Sequence, residues 1–153
     1  MKSIIIYYSR SGNTEKLAKQ IQNDLQSDVL KVEPKKAYGN YISALFRVIG
    51  EKMSKKKPEF ITQIPDLKDY DTILIGTPIW AYSLPVFLSE FISQCDLKGK
   101  KVIPFATFGG SGVKGAVETL EEICKGAELV LPFGYGISKK DNYEEWMTSI
   151  KKL

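Results

Sequence analysis

At 153 residues, with a formal net charge of +4 and 43% hydrophobic residues, the chain is long enough for one well-filled core, and a single domain over 1–153 is expected. No apolar run approaches the ~18 residues of a membrane span and the N-terminus enters a strand directly, so neither a transmembrane helix nor a signal peptide is expected and the location is read as cytoplasmic. The absence of histidine removes Ser-His-Asp and Cys-His catalysis and every imidazole-dependent zinc site, so an enzyme built on this chain would lean on a cofactor.

The β-branched and aromatic run Ile4–Tyr8 predicts a buried strand over Lys2–Tyr8. Leu17, Ala18, Ile21 and Leu25 recur at helical spacing and predict an amphipathic helix over Asn13–Gln26. Between them SRSGNT (Ser9, Arg10, Ser11, Gly12, Asn13, Thr14) fills a strand-to-helix turn. Such a turn aims free backbone N–H groups and the positive end of a helix at whatever lies above it, an arrangement that suits a phosphate. Further strands are predicted at Asp28–Val32, Thr72–Thr77, Lys101–Phe108 and Glu128–Ile137, and further helices at Tyr41–Lys52, Leu84–Gln94, Val113–Cys124 and Asn142–Lys152. Pro85 suits a first helical turn, and Asp141 with Glu144 has capping-box spacing. Tyr143, Trp146, Met147 and Ile150 form one stripe, read as core contact. Cys95 and Cys124 fall in separate helical segments without CxxC spacing and are expected as buried, reduced thiols.

Five strands alternating with five helices predict an α/β fold, a doubly wound five-stranded parallel sheet in the order 2-1-3-4-5. That order makes strands 1, 3 and 4 neighbours, so the loops after them share one rim. All three are unusual. After the first comes SRSGNT; after the third TPIWAYSLP, with Thr77, Pro78, Ile79, Trp80, Ala81 and Tyr82; after the fourth TFGGSG, with Thr107, Phe108, Gly109, Gly110, Ser111 and Gly112. A phosphate turn, an aromatic plate and a pliable backbone together suit a flat heteroaromatic ring with a phosphate tail. Gly110, Gly112 and Gly115 also satisfy G-x-G-x-x-G, but they follow the fourth strand, and Glu128 begins the next strand where a ribose contact should end one. No acidic residue ends strand 1 or strand 3, which disfavours a phosphorelay receiver.

In these three loops the chain resembles the flavodoxins. Ser9, Ser11, Gly12 and Thr14 fill the family's phosphate-loop pattern in register, the KKAYGNY stretch before the second helix resembles a bacterial flavodoxin-like subgroup, and the resemblance extends over essentially the whole chain in its short form. It implies FMN as the cofactor, with the hydroxyls of Ser9, Ser11 and Thr14 and the amides of residues 10–14 on its phosphate, Arg10 beside it or in solvent, Trp80 on the ring face and Thr107 to Gly112 along its polar edge. Two positions depart from the pattern. Ala81 follows Trp80 where many members have glycine, and alanine resists positive φ. The third loop carries no aromatic to cover the other ring face, since Phe108 is expected to face inward.

The charge excess is local. Residues 31–57 hold eight Lys/Arg against two Glu, a net of +6, and leave −2 for the rest. With two arginines in the chain and no recognition motif, nucleic acid is not the expected partner; a solvated lysine face, or docking of an acidic protein redox partner, is. The leading reading is a non-catalytic FMN electron carrier acting with protein redox partners. The alternative is an NAD(P)H-dependent FMN reductase of quinones or similar acceptors, and a third is the same fold without flavin as a binding module.

Overall fold

The computed structural model describes residues 1–54, 57–137 and 140–153. In chain order the elements are β1 (Ser3–Tyr7), α1 (Asn13–Leu25), β2 (Asp28–Lys31), α2 (Tyr41–Met53), β3 (Thr72–Pro78), α3 (Val86–Ser93), β4 (Lys101–Phe108), α4 (Lys114–Ile123), β5 (Glu128–Leu129), β6 (Phe133–Gly136) and α5 (Tyr143–Ile150). The sheet runs β2-β1-β3-β4-β5, all parallel, with β6 on the same flank of β4 as β5. This is the expected order, and it sets the C-terminal ends of β1, β3 and β4 side by side.

Alternation along the strands divides the core. Ile4 and Ile6 of β1 join Ile73 and Ile75 of β3 on one face, against Ala44 and Val48 of α2, Phe87 and Phe91 of α3 and Leu120 of α4. Ile5 and Tyr7 join Leu74, Ile103 and Phe105 on the other, against Leu17, Ala18 and Ile21 of α1 and Trp146, Met147 and Ile150 of α5. The stripe in the last helix is therefore core contact, as its spacing indicates.

The segment Glu128–Ile137, expected as one strand, is two. Lys101 and Val102 pair with Glu128 and Leu129, whereas Phe105 pairs with Phe133, so the edge gains one residue between the two pairings. Leu131 takes the extra residue at φ 47. Two prolines explain the break. Pro132 has no N–H for the ladder. Pro104 of β4 faces the same gap: Val102 O accepts from Val130 N on that side, whereas Thr107 O accepts from Ile79 N on the other, and even-numbered positions alternate toward the edge. The expected capping box at α5 also differs. Asn142 caps the helix, accepting from Glu144 N and Glu145 N, and the Asp141 carboxylate instead accepts from Gly134 N at 2.7 Å.

Burial pushes the Tyr8 phenol up to about 12, with Glu33 adding to the shift, and burial likewise pushes the Cys95 and Cys124 thiols up to about 12. Tyr38 is raised as well, by burial first and then by the bond its hydroxyl donates to Glu51. All four hold their protons more tightly in the folded chain. The unfolded chain therefore releases protons first as pH rises, and stability falls from the thiol range near 9.0 and the phenol range near 10.0 up toward 12. With no histidine to titrate, the urea midpoint is expected to stay level from about pH 6 to 8.5 and then drop. A midpoint that moved substantially between pH 6 and 8 would contradict this.

Candidate functional site

The first loop leaves β1 through Tyr8 and enters α1 at Gly12, whose φ of 91 suits glycine alone among the loop residues. Ser9, almost fully buried, accepts a hydrogen bond from Gly12 N at 3.1 Å and fixes the turn. No described side chain caps α1. Its first-turn amides and positive dipole end therefore face outward between exposed Ser11, Gly12 and Asn13. Thr14 is buried, and its Oγ1 lies 2.8 Å from Thr107 Oγ1, which ties the start of α1 to the end of β4.

The second loop is a tight two-residue turn. Trp80 N donates to Ser83 O at 2.7 Å and Ser83 N to Trp80 O at 3.1 Å, and the central residues Ala81 and Tyr82 sit at φ 49 and 65. Positive φ at both centres is a type I′ turn, which favours Asn-Gly. Alanine was expected to resist this conformation; here tertiary contacts impose it. Lys52 of α2 donates to Ala81 O at 2.8 Å, and burial lowers its ammonium pKa from the ordinary lysine value. Ser83 Oγ lies 2.7 Å from Thr119 Oγ1 of α4, and the Tyr82 carbonyl rests against Gly115, where any Cβ would overlap it.

Trp80 is half-buried. Its indole meets the Tyr8 ring edge-on at 5.6 Å and the Tyr38 ring at 4.9 Å, and it lines a cleft of about 50 Å³ with Arg10, Ala44, Leu45, Ile79 and Ala81. The third loop leaves Gly109, Gly110 and Ser111 exposed, with Gly112 at φ 78.

Of the residues singled out from sequence, Ser9, Gly12, Thr14 and Thr107 come together at the helix end, and Ile79, Trp80 and Ala81 form the neighbouring plate. Three are engaged within the protein, Arg10 while still lining the cleft. Arg10 reaches Gly39 O at 3.4 Å, Thr77 is fully buried and donates to Pro78 O within its own strand end, and the Phe108 ring lies over Gly134 and Gly136 of β6. Pro78 pairs with Thr107 in the sheet. Tyr82 is exposed. Sequence reasoning missed Tyr8 and Tyr38, which buttress Trp80. Tyr38 is held by the Arg47 guanidinium 3.9 Å over its ring and by its bond to Glu51 at 2.6 Å. The only signal for it was its place in KKAYGNY, ahead of α2.

A parallel sheet in this order is a doubly wound α/β fold of flavodoxin-like topology, and its uncapped helix end, aromatic turn and glycine loop share the switch-point rim where such sheets take their ligands. Among protein families, the flavodoxin model matches residues 2–150. The chain belongs to the flavodoxin family. It is similar to a structure described as a flavoprotein from Bacteroides uniformis (TM-score 0.83, 28% identity, covering 98% of this chain and 97% of that one). It is also similar to a flavoprotein from Lactobacillus acidophilus solved in complex with FMN (TM-score 0.75, 25% identity, covering 88% and 91%). Over 93 residues, 61% of this chain, it is 29% identical to NAD(P)H dehydrogenase (quinone) 3 of Rhizobium meliloti, and the match spans only 43% of that relative's length.

Proposed function

We propose that this chain, acting as one FMN-binding domain over 1–153 in the cytoplasm, holds FMN on the three-loop rim and carries electrons between protein redox partners. The uncapped N-terminus of α1 at the sheet's switch point carries the reading, because a helix end open to the rim is complementary to a phosphate dianion. The FMN bound by the L. acidophilus flavoprotein supports that ligand over others. The loop residues fit: Gly12, Gly109 and Gly112 have no heavy atom within 4 Å of where a Cβ would stand, which leaves room for close backbone approach.

FMN, when bound, supplies reversible electron transfer. The chain supplies the rest. Amides of residues 10–14 and the Ser11 hydroxyl take the phosphate, while Ser9 keeps the turn in shape through Gly12 N. The Thr14–Thr107 pair holds the phosphate loop and the glycine loop at a fixed separation. Trp80, Ile79 and Ala81 give the ring an apolar seat that excludes water, and the backbone of 107–112 meets its polar edge. Among the described residues no helix is long and apolar enough to cross a membrane.

Quenching of flavin fluorescence measures the binding. FMN is expected to titrate to one equivalent at micromolar protein, with FAD weaker because the rim offers a single phosphate turn, at the start of α1; absence of quenching, or preference for FAD, would overturn the reading. Thr14→Val should weaken FMN by about 1.5–3 kcal/mol, ten- to hundredfold, because it removes a hydroxyl beside a charged ligand and strands that of Thr107. Arg10→Ala should cost less, since Arg10 is directed at Gly39 O. The opposite order would make Arg10 the phosphate ligand.

The likeness to the quinone dehydrogenase of R. meliloti favours a second reading, an NAD(P)H-dependent reductase of quinones. Steady turnover of NADPH with a quinone by the FMN-loaded protein separates the two. Little or none is expected of a carrier.

A further inference from the structure

Of the cations of segment 31–57, read from sequence as a solvated lysine face or as a docking surface for an acidic partner, four pair with carboxylates. Lys31 pairs with Glu15 and Glu33, Lys35 with Glu59, Arg47 with Glu51 and Lys57 with Glu90. Lys55 and Lys56 lie outside the described residues. What the segment does expose is apolar. On α2, Ile42 is 67% exposed, Phe46 72%, Ile49 44% and Met53 83%, with Leu45 at 38%. At 3.6 residues per turn these positions share one stripe, directly opposite the inward Ala44 and Val48. The stripe is not isolated from the site, because Leu45 and Ala44 also wall the cleft at Trp80 and Ala81.

Three cations border this ground without a carboxylate partner among the described residues: Arg10 in the cleft, Lys52 beside Ala81 and Lys36 on the far flank. The one acid on α2, Glu51, is turned inward to Arg47 and Tyr38. A second copy would bring these cations against themselves. The outward face of a 13-residue helix, about 20 Å by 10 Å in plan, also falls well short of the ~800 Å² per partner of a stable interface. A small apolar centre within a cationic margin suits a transient complex with a protein of opposite margin.

We propose that the outer face of α2 is the docking surface for a redox protein that presents an apolar patch rimmed by carboxylates, engaged transiently and leading through Leu45 to the cofactor seat at Trp80. This rests on the FMN-carrier reading for its purpose but not for its test.

The test uses an acidic plant-type [2Fe–2S] ferredoxin as the probe and the full ¹⁵N-labelled chain, with and without FMN. Amide shifts are expected over 42–53 and 79–82, weakening as salt is raised, and Phe46→Glu should weaken binding at least tenfold while leaving the melting temperature and FMN quenching unchanged. Shifts confined to other surfaces, no binding, or indifference to Phe46→Glu would overturn the proposal. So would a dimer in sedimentation velocity that Phe46→Glu dissolves, which would make a second copy the occupant, or co-sedimentation with phosphatidylglycerol vesicles, which would make it a lipid surface. Ferredoxin binding at α2 by a protein that takes up no FMN would sink the cofactor reading and leave the docking surface standing.

Discussion

Gly115→Ala is expected to destabilise the fold by about 1–3 kcal/mol and to weaken FMN at least tenfold, although residue 115 touches none of the loop residues assigned to the phosphate. The cause is local. A Cβ at 115 would overlap the Tyr82 carbonyl oxygen, and backbone yields less readily than a flexible side chain. Either α4 must back away from β3 or the Trp80–Ser83 turn must move outward. The second course loosens the Ser83–Thr119 contact and the Lys52 bond to Ala81 O, which together hold two non-glycine residues at positive φ. Once released, the turn has little reason to keep that conformation, and Trp80 moves with it. Urea denaturation and FMN titration on the same variant check both parts. A variant with wild-type stability and affinity would show that the turn is held by its own sequence and not by α4.

Trp80→Ala should be costly in two separable ways. Base–aromatic stacking is worth about 1–3 kcal/mol, so loss of an indole from the ring seat should weaken FMN by about five- to hundredfold. The same change opens a gap beside Tyr8 and Tyr38, whose rings meet the indole at 5.6 and 4.9 Å, and about 2 kcal/mol of stability is expected to go with it, less than for a wholly buried tryptophan. Trp80→Phe separates the effects, since it keeps an aromatic face while shortening the reach to the tyrosines. It should recover most of the affinity and only part of the stability. Stability lost with affinity intact would make Trp80 a core residue and move the ring seat elsewhere.

The phosphate loop was legible because its chemistry is local: serines, glycine and threonine between an apolar run and a helical period admit few structures other than a strand-to-helix turn. The sheet order followed from the alternation of elements, and with it the sharing of one rim by three loops. The break between β5 and β6 was only half legible: Pro132 stands within ELVLPFGYGI, which otherwise reads as one apolar run, but the other cause, Pro104, lies on a different strand. Ala81 misled for a related reason. Its own preference is against positive φ, and Lys52, Gly115 and Thr119, far off in sequence, decide the matter. In the segment 31–57 the lysines drew the eye in the sequence, whereas their ion pairs with Glu15, Glu33, Glu59 and Glu90 and the outward turn of Phe46 and Met53 on α2 appear only once the chain is folded.

The central claim is that one FMN sits on the rim formed by the loops after β1, β3 and β4. Titration of the ¹⁵N-labelled chain with FMN tests it residue by residue. The expected result is saturation at one equivalent, with the amides of 10–14, 79–82 and 107–112 shifting most and those of the opposite end, near Gly99 and Gly126, left in place. Saturation without shifts in all three loops, or shifts centred on another surface, would contradict it.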